Sequence, residues 1–238
     1  GLNVNILLSA ISGSGKTTLA YMYLNQLGWN ESQVSGPPRF AFDTSKRFHF
    51  LDEIHELNQP EALYPYLSSG NFVVILATNQ TGDLLEPLRN RCQYVFEFDR
   101  YSQDELHGMC SNLFSIQGFP NLPGEIVSFV VERSGGIPRI LRNLVLRFSV
   151  LFRSGERITV GNLERISQEI LNLDRNGLGP HERMYIEFLK SAGGSASLSL
   201  IASGTGLTES TIRRIVEPGL IHRGILSISS RGRSLVPL

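Results

Sequence analysis

A chain of 238 residues with 22 basic against 22 acidic side chains and 41% apolar content has none of the charge bias or low hydrophobicity of a disordered chain, and is long enough for one large domain or two to three small ones. Its two cysteines, Cys92 and Cys110, are too few for a disulfide framework and lack metal-ligand spacing, which points to core thiols and a reducing cytoplasm. No apolar run approaches the ~18–20 residues of a membrane helix and no signal-peptide pattern opens the chain, so no membrane partner is expected.

In chain order, β-rich runs over residues 4–9, 39–42, 47–51, 72–78 and 93–98 alternate with helical patterns, which predicts a parallel sheet with crossover helices. The run "FVVILAT" is apolar on both faces, as a central parallel strand must be. From residue 101 to 171 the pattern turns helical: "SQDELHGMCSNLF" opens with a serine cap and a glutamate three residues on, and "GGIPRILRNLVLRFSVLF" carries helical apolar spacing after a Gly-Pro start. The stretch "LDRNGLGPHE" reads as a polar, Gly-rich linker. Beyond it come a helix over 181–190, a short helix over 198–203, a turn, a capped helix and a terminal hairpin, the order of a winged helix-turn-helix. The expected division is an α/β domain over 1–100, a small helical lid over 101–174 and a winged helix over 175–238.

The first chemical signal is "AISGSGKTTLA". A strand, then Ser12-Gly13-Ser14-Gly15-Lys16-Thr17-Thr18, then a helix is the context a phosphate-binding loop requires. Glycines let successive N–H groups turn onto a β-phosphate, Lys16 offers a point charge to the β and γ oxygens, and the Thr17 hydroxyl can hold Mg²⁺, which makes ATP and Mg²⁺ the expected cofactors. The position six before Lys16, usually glycine, is Ala10; alanine fits if no positive φ is needed there. Further along, "RFHFLDEIHEL" ends an apolar run in Asp52-Glu53, a carboxylate for the metal shell and one to polarise the attacking water. In isolation, an acidic pair capping the next helix is the better reading; beside the phosphate loop it becomes the minor one.

These motifs, with "ALYP", "ATNQTGDLLEPLRNR", "YSQDEL", "GGIPRI" and "TIRRIVEPGLIHRGIL..RGR", resemble the AAA+ ATPases and, within them, the RuvB-type Holliday-junction branch-migration helicases. The resemblance implies roles for matching residues. Asn79 stands at sensor 1, where the branch-migration family usually has threonine. Arg91 matches the arginine finger that reaches a neighbouring subunit's nucleotide, with Arg89 as a possible helper. Arg139 matches sensor 2 and is counted with the catalytic set. Tyr101 matches an adenine-contacting tyrosine, with a core aromatic as its alternative reading. The implied activity is DNA-dependent ATP hydrolysis driving duplex translocation by a homo-oligomeric ring, a hexamer.

Over residues 205–238 five arginines face two glutamates, an excess of three basic charges in a neutral chain. Arginines on a hairpin clamp phosphates without reading sequence, so the expected partner is duplex or branched DNA gripped by its backbone. Arg231 and Arg233 are the wing arginines expected to make that contact; the hairpin's other family arginine falls at Ile228. Arg213 and Arg214 suit a solvated helix face or a subunit contact better than base reading. Two family features are absent. The segment before the first strand is missing, which leads us to expect sequence upstream of Gly1, and so is the β-hairpin between "ALYPYLSSG" and "NFVVILATN" that docks on RuvA, which counts against a RuvA-type partner. Two other readings stay open: a clamp-loader or helicase-loader subunit, suggested by "EPLRNRCQYVFEF", and a DNA-binding regulator switched by ATP with little turnover.

Overall fold

The computed structural model describes residues 4–28, 34–35, 42–57, 59–79, 86–230 and 232–236. The chain divides into two compact units, Gly1–Arg100 and Tyr101–Leu238.

In the first unit, β1 (Val4–Ser9), β2 (Val34–Ser35), β3 (Phe48–Leu51), β4 (Val73–Thr78) and β5 (Tyr94–Glu97) form one parallel sheet in the order β2-β3-β4-β1-β5. Alternation along the strands splits the core in two. Val4, Ile6, Leu8, Phe48, Phe50, Val73, Ile75 and Ala77 face α1 (Lys16–Gln26), which buries Ala20 and Leu24 against them. Leu7, Leu51, Val74 and Leu76 face the other way, onto Ile54 and Leu63 of two 3₁₀ turns (Ile54–Glu56 and Pro60–Leu63), Leu67 of α2 (Tyr64–Ser68) and Leu88 of α3 (Glu86–Arg89). Strand β4 is buried at all six residues, as its two-sided apolar run predicts. Strand β5 differs: it is the sheet's edge, and Tyr94 and Phe96 are 55% and 47% exposed. Of the predicted strand over 39–42, residues 39–41 lie outside the described residues and Phe42 is not in a strand.

The second unit holds two apolar clusters. One joins α4 (Gln103–Ile116), α5 (Gly124–Ser134), α6 (Pro138–Arg153) and α7 (Val160–Glu169). Helix α4 has the expected capping box, the Ser102 side chain accepting from Glu105 N–H while the Glu105 carboxylate accepts from Ser102 N–H. Helix α6 starts on Pro138 and buries Leu141, Leu144, Val145, Phe148 and Phe152, one face at helical spacing. The other cluster belongs to α8 (Pro180–Ser191), β6 (Ser195–Ala196), α9 (Leu198–Thr205), α11 (Glu217–His222) and the hairpin of β7 (Leu226–Ser229) and β8 (Gly232–Leu235), with sheet order β6-β8-β7; the short α10 (Glu209–Thr211) buries none of its residues. Between α10 and α11 runs a π-helical turn, Ile212–Val216. Its cause is Pro218, which has no N–H to offer the carbonyl four residues back and would clash with it in a regular helix.

The stretch predicted as a linker is an ordered loop. The Asp174 carboxylate accepts from the N–H groups of Asn176 and Leu178 at 2.9 and 2.8 Å, and Leu178 is buried in the winged-helix core. This is an Asx-type turn, which the Gly-rich composition hides. Both cysteines are free, and burial pushes the thiols of Cys92 and Cys110 up to about 11 and about 12. Among the described residues no helix is long and apolar enough to cross a membrane.

One buried polar cluster ties the hairpin to the helix before it. Tyr185 Oη donates to Glu217 Oε1 at 3.0 Å, and Arg233 Nε donates to the same oxygen at 2.8 Å, with the two charged side chains only 4% and 12% exposed. Glu217→Ala leaves a partly buried guanidinium and a buried phenol without their acceptor and is expected to cost about 3–5 kcal/mol in urea unfolding of the full chain. A loss below about 1 kcal/mol, the range of surface pairs, would show the cluster to be solvated in solution.

Candidate active site

The loop after β1 holds its shape through backbone geometry. Gly13 and Gly15 have φ of 82° and 105°, a region closed to most side chains. Ala10 is not among the positive-φ residues, so the departure from glycine there carries no strain. Gly15 caps α1 with no side-chain hydrogen bond and no acidic residue follows in the first turn. Leu19 N–H donates to the Gly15 carbonyl at 2.9 Å, so the N–H groups of the first turn before it point out of the positive end of the helix, where an anion is favoured. Lys16 is 6% exposed and folds back over the loop, its Nζ donating to the carbonyls of Ala10 and Ile11 at 2.8 and 3.0 Å. A phosphate entering the loop would compete for that ammonium.

Strand β3 delivers the carboxylates to the same sheet edge. Thr17 Oγ1 donates to Asp52 Oδ2 at 2.7 Å, joining the two residues expected to hold the metal. The capping alternative fails for this pair: besides Thr17, Asp52 accepts from the adjacent Glu53 N–H at 2.9 Å, and the Glu53 side chain, at the N-cap of the 3₁₀ turn, makes no cap bond to it. Glu53 instead sits in left-handed backbone, φ 51° and ψ 47°, a strained setting for a non-glycine residue of the kind that clusters at functional sites. Its carboxylate lies 3.5 Å from His55 Nδ1, which in turn is 3.3 Å from Thr78 Oγ1. His55 escaped the sequence reading because the acidic pair beside it accounted for the motif; its place two residues after Glu53 was the available signal. Asn79, the residue after β4, has a buried Oδ1 with no hydrogen-bond donor among the described residues. Since β4 lies between β3 and β1, this amide stands between the carboxylates and the loop.

Arg91 is not with them. At the opposite end of β1, Asn5 Nδ2 donates to the Arg91 carbonyl at 2.9 Å and to the Leu67 carbonyl at 2.8 Å, and Gln93 N–H donates to the Asn5 carbonyl at 3.0 Å. From Asn5 to the loop the strand runs about 16 Å at its ordinary rise. The guanidinium lies 4.2 Å from the Tyr64 ring centre and donates from Nη1 to the Pro87 carbonyl at 2.7 Å, so the side chain is braced. Tyr64, from the "ALYP" stretch, thus supports a residue that the sequence reading considered alone. Arg89 pairs with Glu97 at 2.9 Å on the surface.

In the second unit Tyr101 packs on the helical core, and Arg139 is exposed in the first turn of α6. Arg231 lies outside the described residues. Arg233, expected on DNA, is turned inward and bound to Glu217. A buried carboxylate needs a cation, and Arg233 supplies it. Arg213 and Arg214 are exposed on the π-helical turn, and Ile228 is 44% exposed on β7. Arg223, counted among the basic residues of the wing, is engaged with backbone carbonyls inside the unit.

Two family models match the chain: the "ATPase family associated with various cellular activities (AAA)" over residues 6–100 and the "RuvB C-terminal winged helix domain" over residues 175–237. The Holliday junction branch migration complex subunit RuvB of Fervidobacterium nodosum is 30% identical over 264 aligned residues, covering 96% of this chain and 76% of the relative. That of Thermosipho melanesiensis is 28% identical, covering 96% and 84%. The solved structure of the Thermotoga maritima RuvB Holliday junction branch migration motor superposes with a TM-score of 0.81 at 26% identity, covering 98% of this chain and 84% of that one. With a phosphate loop and acidic strand end of the AAA type, a RuvB-type winged helix behind them and relatives matched over nearly its whole length, the chain belongs to the RuvB family of AAA+ ATPases.

Proposed function

We propose that this chain is an ATP-driven DNA motor of the RuvB type, hydrolysing ATP between subunits of a ring, a hexamer, to move duplex DNA in branch migration. The observation that carries the reading is the separation along β1: the phosphate loop follows one end of the strand and Arg91 is anchored at the other, so a finger role for Arg91 requires the loop of another copy. The assigned domains are 1–100 for ATP hydrolysis, 101–174 for the lid and 175–238 for DNA. A clamp loader would end in a helical collar; this chain ends in a winged helix matched by the RuvB model.

In this reading water attacks the γ-phosphorus, a new P–O bond forms, and the bond to the β–γ bridging oxygen breaks to release ADP and phosphate. Glu53 polarises the water, and the Asn79 amide orients it. Lys16 and the N–H groups at the start of α1 hold the β and γ oxygens. Thr17 hydroxyl and Asp52 carboxylate, already within hydrogen-bond distance, are hard oxygen donors of the kind Mg²⁺ takes in ones and twos while keeping its waters; they would hold the ion, which supplies charge neutralisation on the phosphates. Among the described residues no group of three or more His, Cys, Asp or Glu forms an all-protein metal cage. Ser12, Gly13, Ser14 and Gly15 are assigned to the phosphate cradle, and Tyr101 and Arg139 to nucleotide on the family pattern.

DNA contact is assigned to the winged domain, with Arg231 on the wing and Arg233 setting the wing's position through Glu217. Helix α2 passes to β4 through residues 69–72 alone, so the RuvA-docking hairpin of the family has no counterpart in this stretch, and partnership with RuvA by that route is not expected.

Glu53→Gln is expected to lower turnover about 10²–10⁴-fold while ATP still binds, measured by phosphate release and nucleotide titration; turnover within twofold of wild type would remove the base assignment. Arg91→Ala is expected to lose about 10³–10⁵-fold in turnover. Mixed with Lys16→Ala, itself unable to bind ATP, it should regain part of that activity, because each variant supplies what the other lacks across an interface. Two inactive variants that stay inactive on mixing, while still assembling together, would refute the shared site. Tyr64→Ala, which frees the finger without deleting it, is expected to lower turnover by a smaller factor, about 5–50-fold, with nucleotide affinity unchanged.

A further inference from the structure

The two stretches that most distinguish the second unit, "GGIPRI" and "GLIHRG", touch each other. Arg223, which ends α11, donates from Nη2 to the carbonyl of Arg133 at 2.7 Å and from Nη1 to the carbonyl of Asn176 at 2.6 Å. The first carbonyl belongs to the last turn of α5, where helical carbonyls have no partner of their own and a cation is favoured by the helix dipole. The second belongs to the loop that leads into the winged helix. One planar guanidinium thus spans three segments: the end of a lid helix, the connecting loop and the end of the helix before the wing.

The glycines around it are explained by this contact. A Cβ on Gly135 would lie 2.5 Å from Arg223 Nε and Cζ, and one on Gly136 would lie 2.5 Å from Nε2 of the buried His222. On the loop, a Cβ on Gly177 would meet the Arg133 carbonyl oxygen at 2.5 Å. The side chains of two successive residues therefore lie flat on a bare Gly-Gly backbone, and the loop presses on the same helix end. Arg183 braces the loop from the winged-helix side, donating to the carbonyls of Asn172 and Leu178 at 3.0 and 2.8 Å.

We propose that Arg223 is a positioning residue that bolts the winged helix to the lid, so that lid, loop and winged helix turn as one body and rotation of the lid reaches DNA without slack. The role in movement rests on the motor reading above. Arg223 neither grips DNA nor touches nucleotide in this scheme; it sets how much of each hydrolytic step becomes motion.

The test uses the full chain with Arg223→Ala, Arg223→Lys and Gly135→Ala, the last displacing the guanidinium from the opposite side. Basal ATP turnover and duplex affinity are expected within about twofold of wild type, while base pairs moved per ATP fall about fivefold or more. Arg223→Lys, with charge but no planar fork, should lie between. The double variant Arg223→Ala with Gly135→Ala should be no worse than the poorer single, since both break one contact. Equal movement per ATP in wild type and Arg223→Ala overturns the proposal, and so does a parallel fall of basal turnover and movement, which is what general destabilisation produces. The joint is read separately by amide hydrogen exchange: protection of Gly177 and Leu178 N–H should drop in Arg223→Ala at unchanged protection of the α6 core, and unchanged exchange refutes the bolt. If wild type moves no DNA, the motor reading falls, while the exchange experiment still decides whether the joint exists.

Discussion

The direction of a parallel strand governs the proposed chemistry. In a parallel sheet every strand ends at the same edge, and residues that follow the strands gather there: the phosphate loop after β1, Asp52 and Glu53 after β3, Asn79 after β4. Residues that precede a strand gather at the far edge. Arg91 precedes β5, and Asn5 at the start of β1 holds its carbonyl there. Six residues of extended chain cannot be bent to bring the two ends together, so a cation from this position reaches a γ-phosphate only when copies stack edge to edge. The topology makes assembly a condition of the proposed turnover, because the charge most able to stabilise the transferring phosphoryl group comes from outside.

What the sequence disclosed divides along physical lines. Strands β1, β3 and β4 and helices α4 and α6 were legible because their apolar spacing and caps are local, and each local preference agrees with the burial it finds. The phosphate loop was legible for the same reason: seven consecutive residues do the whole task. Roles that depend on a partner distant in sequence were not. Tyr64 under Arg91, His55 between Glu53 and Thr78, and Arg223 on the end of α5 each act through a neighbour fixed only by the tertiary fold. The strand over 93–98 was legible as a strand but its place at the edge was not, since an aromatic strand reads alike at the centre and at the edge of a sheet.

Charge in the winged helix shows what is lost when residues are counted without their contacts. The excess of three basic residues over 205–238 suggested a cationic hairpin. In the fold, Arg233 and Glu217 neutralise one another beneath the wing, and Arg223 faces two carbonyls at the joint with the lid. Of the four described arginines, the two that remain exposed, Arg213 and Arg214, lie on the π-helical turn rather than on the hairpin. Positive potential from the described residues is therefore displaced from the strands to the helix, with Arg231 as the hairpin's own contribution.

That displacement has a mechanical counterpart. A surface arginine on a flexible hairpin attracts phosphate wherever the hairpin moves, but a motor must deliver force along a defined direction, which needs stiffness more than charge. The buried Tyr185–Glu217–Arg233 cluster stiffens the wing against its helix, and the far end of the same helix carries Arg223 into the lid. Buried polar contacts of this kind hold a geometry because every alternative strands a charge away from water. Two of the five arginines are thus withdrawn from the surface to give a continuous rigid path from the lid through the helix to the wing. In the proposed motor, the affinity forgone in those side chains is returned as coupling between hydrolysis and movement.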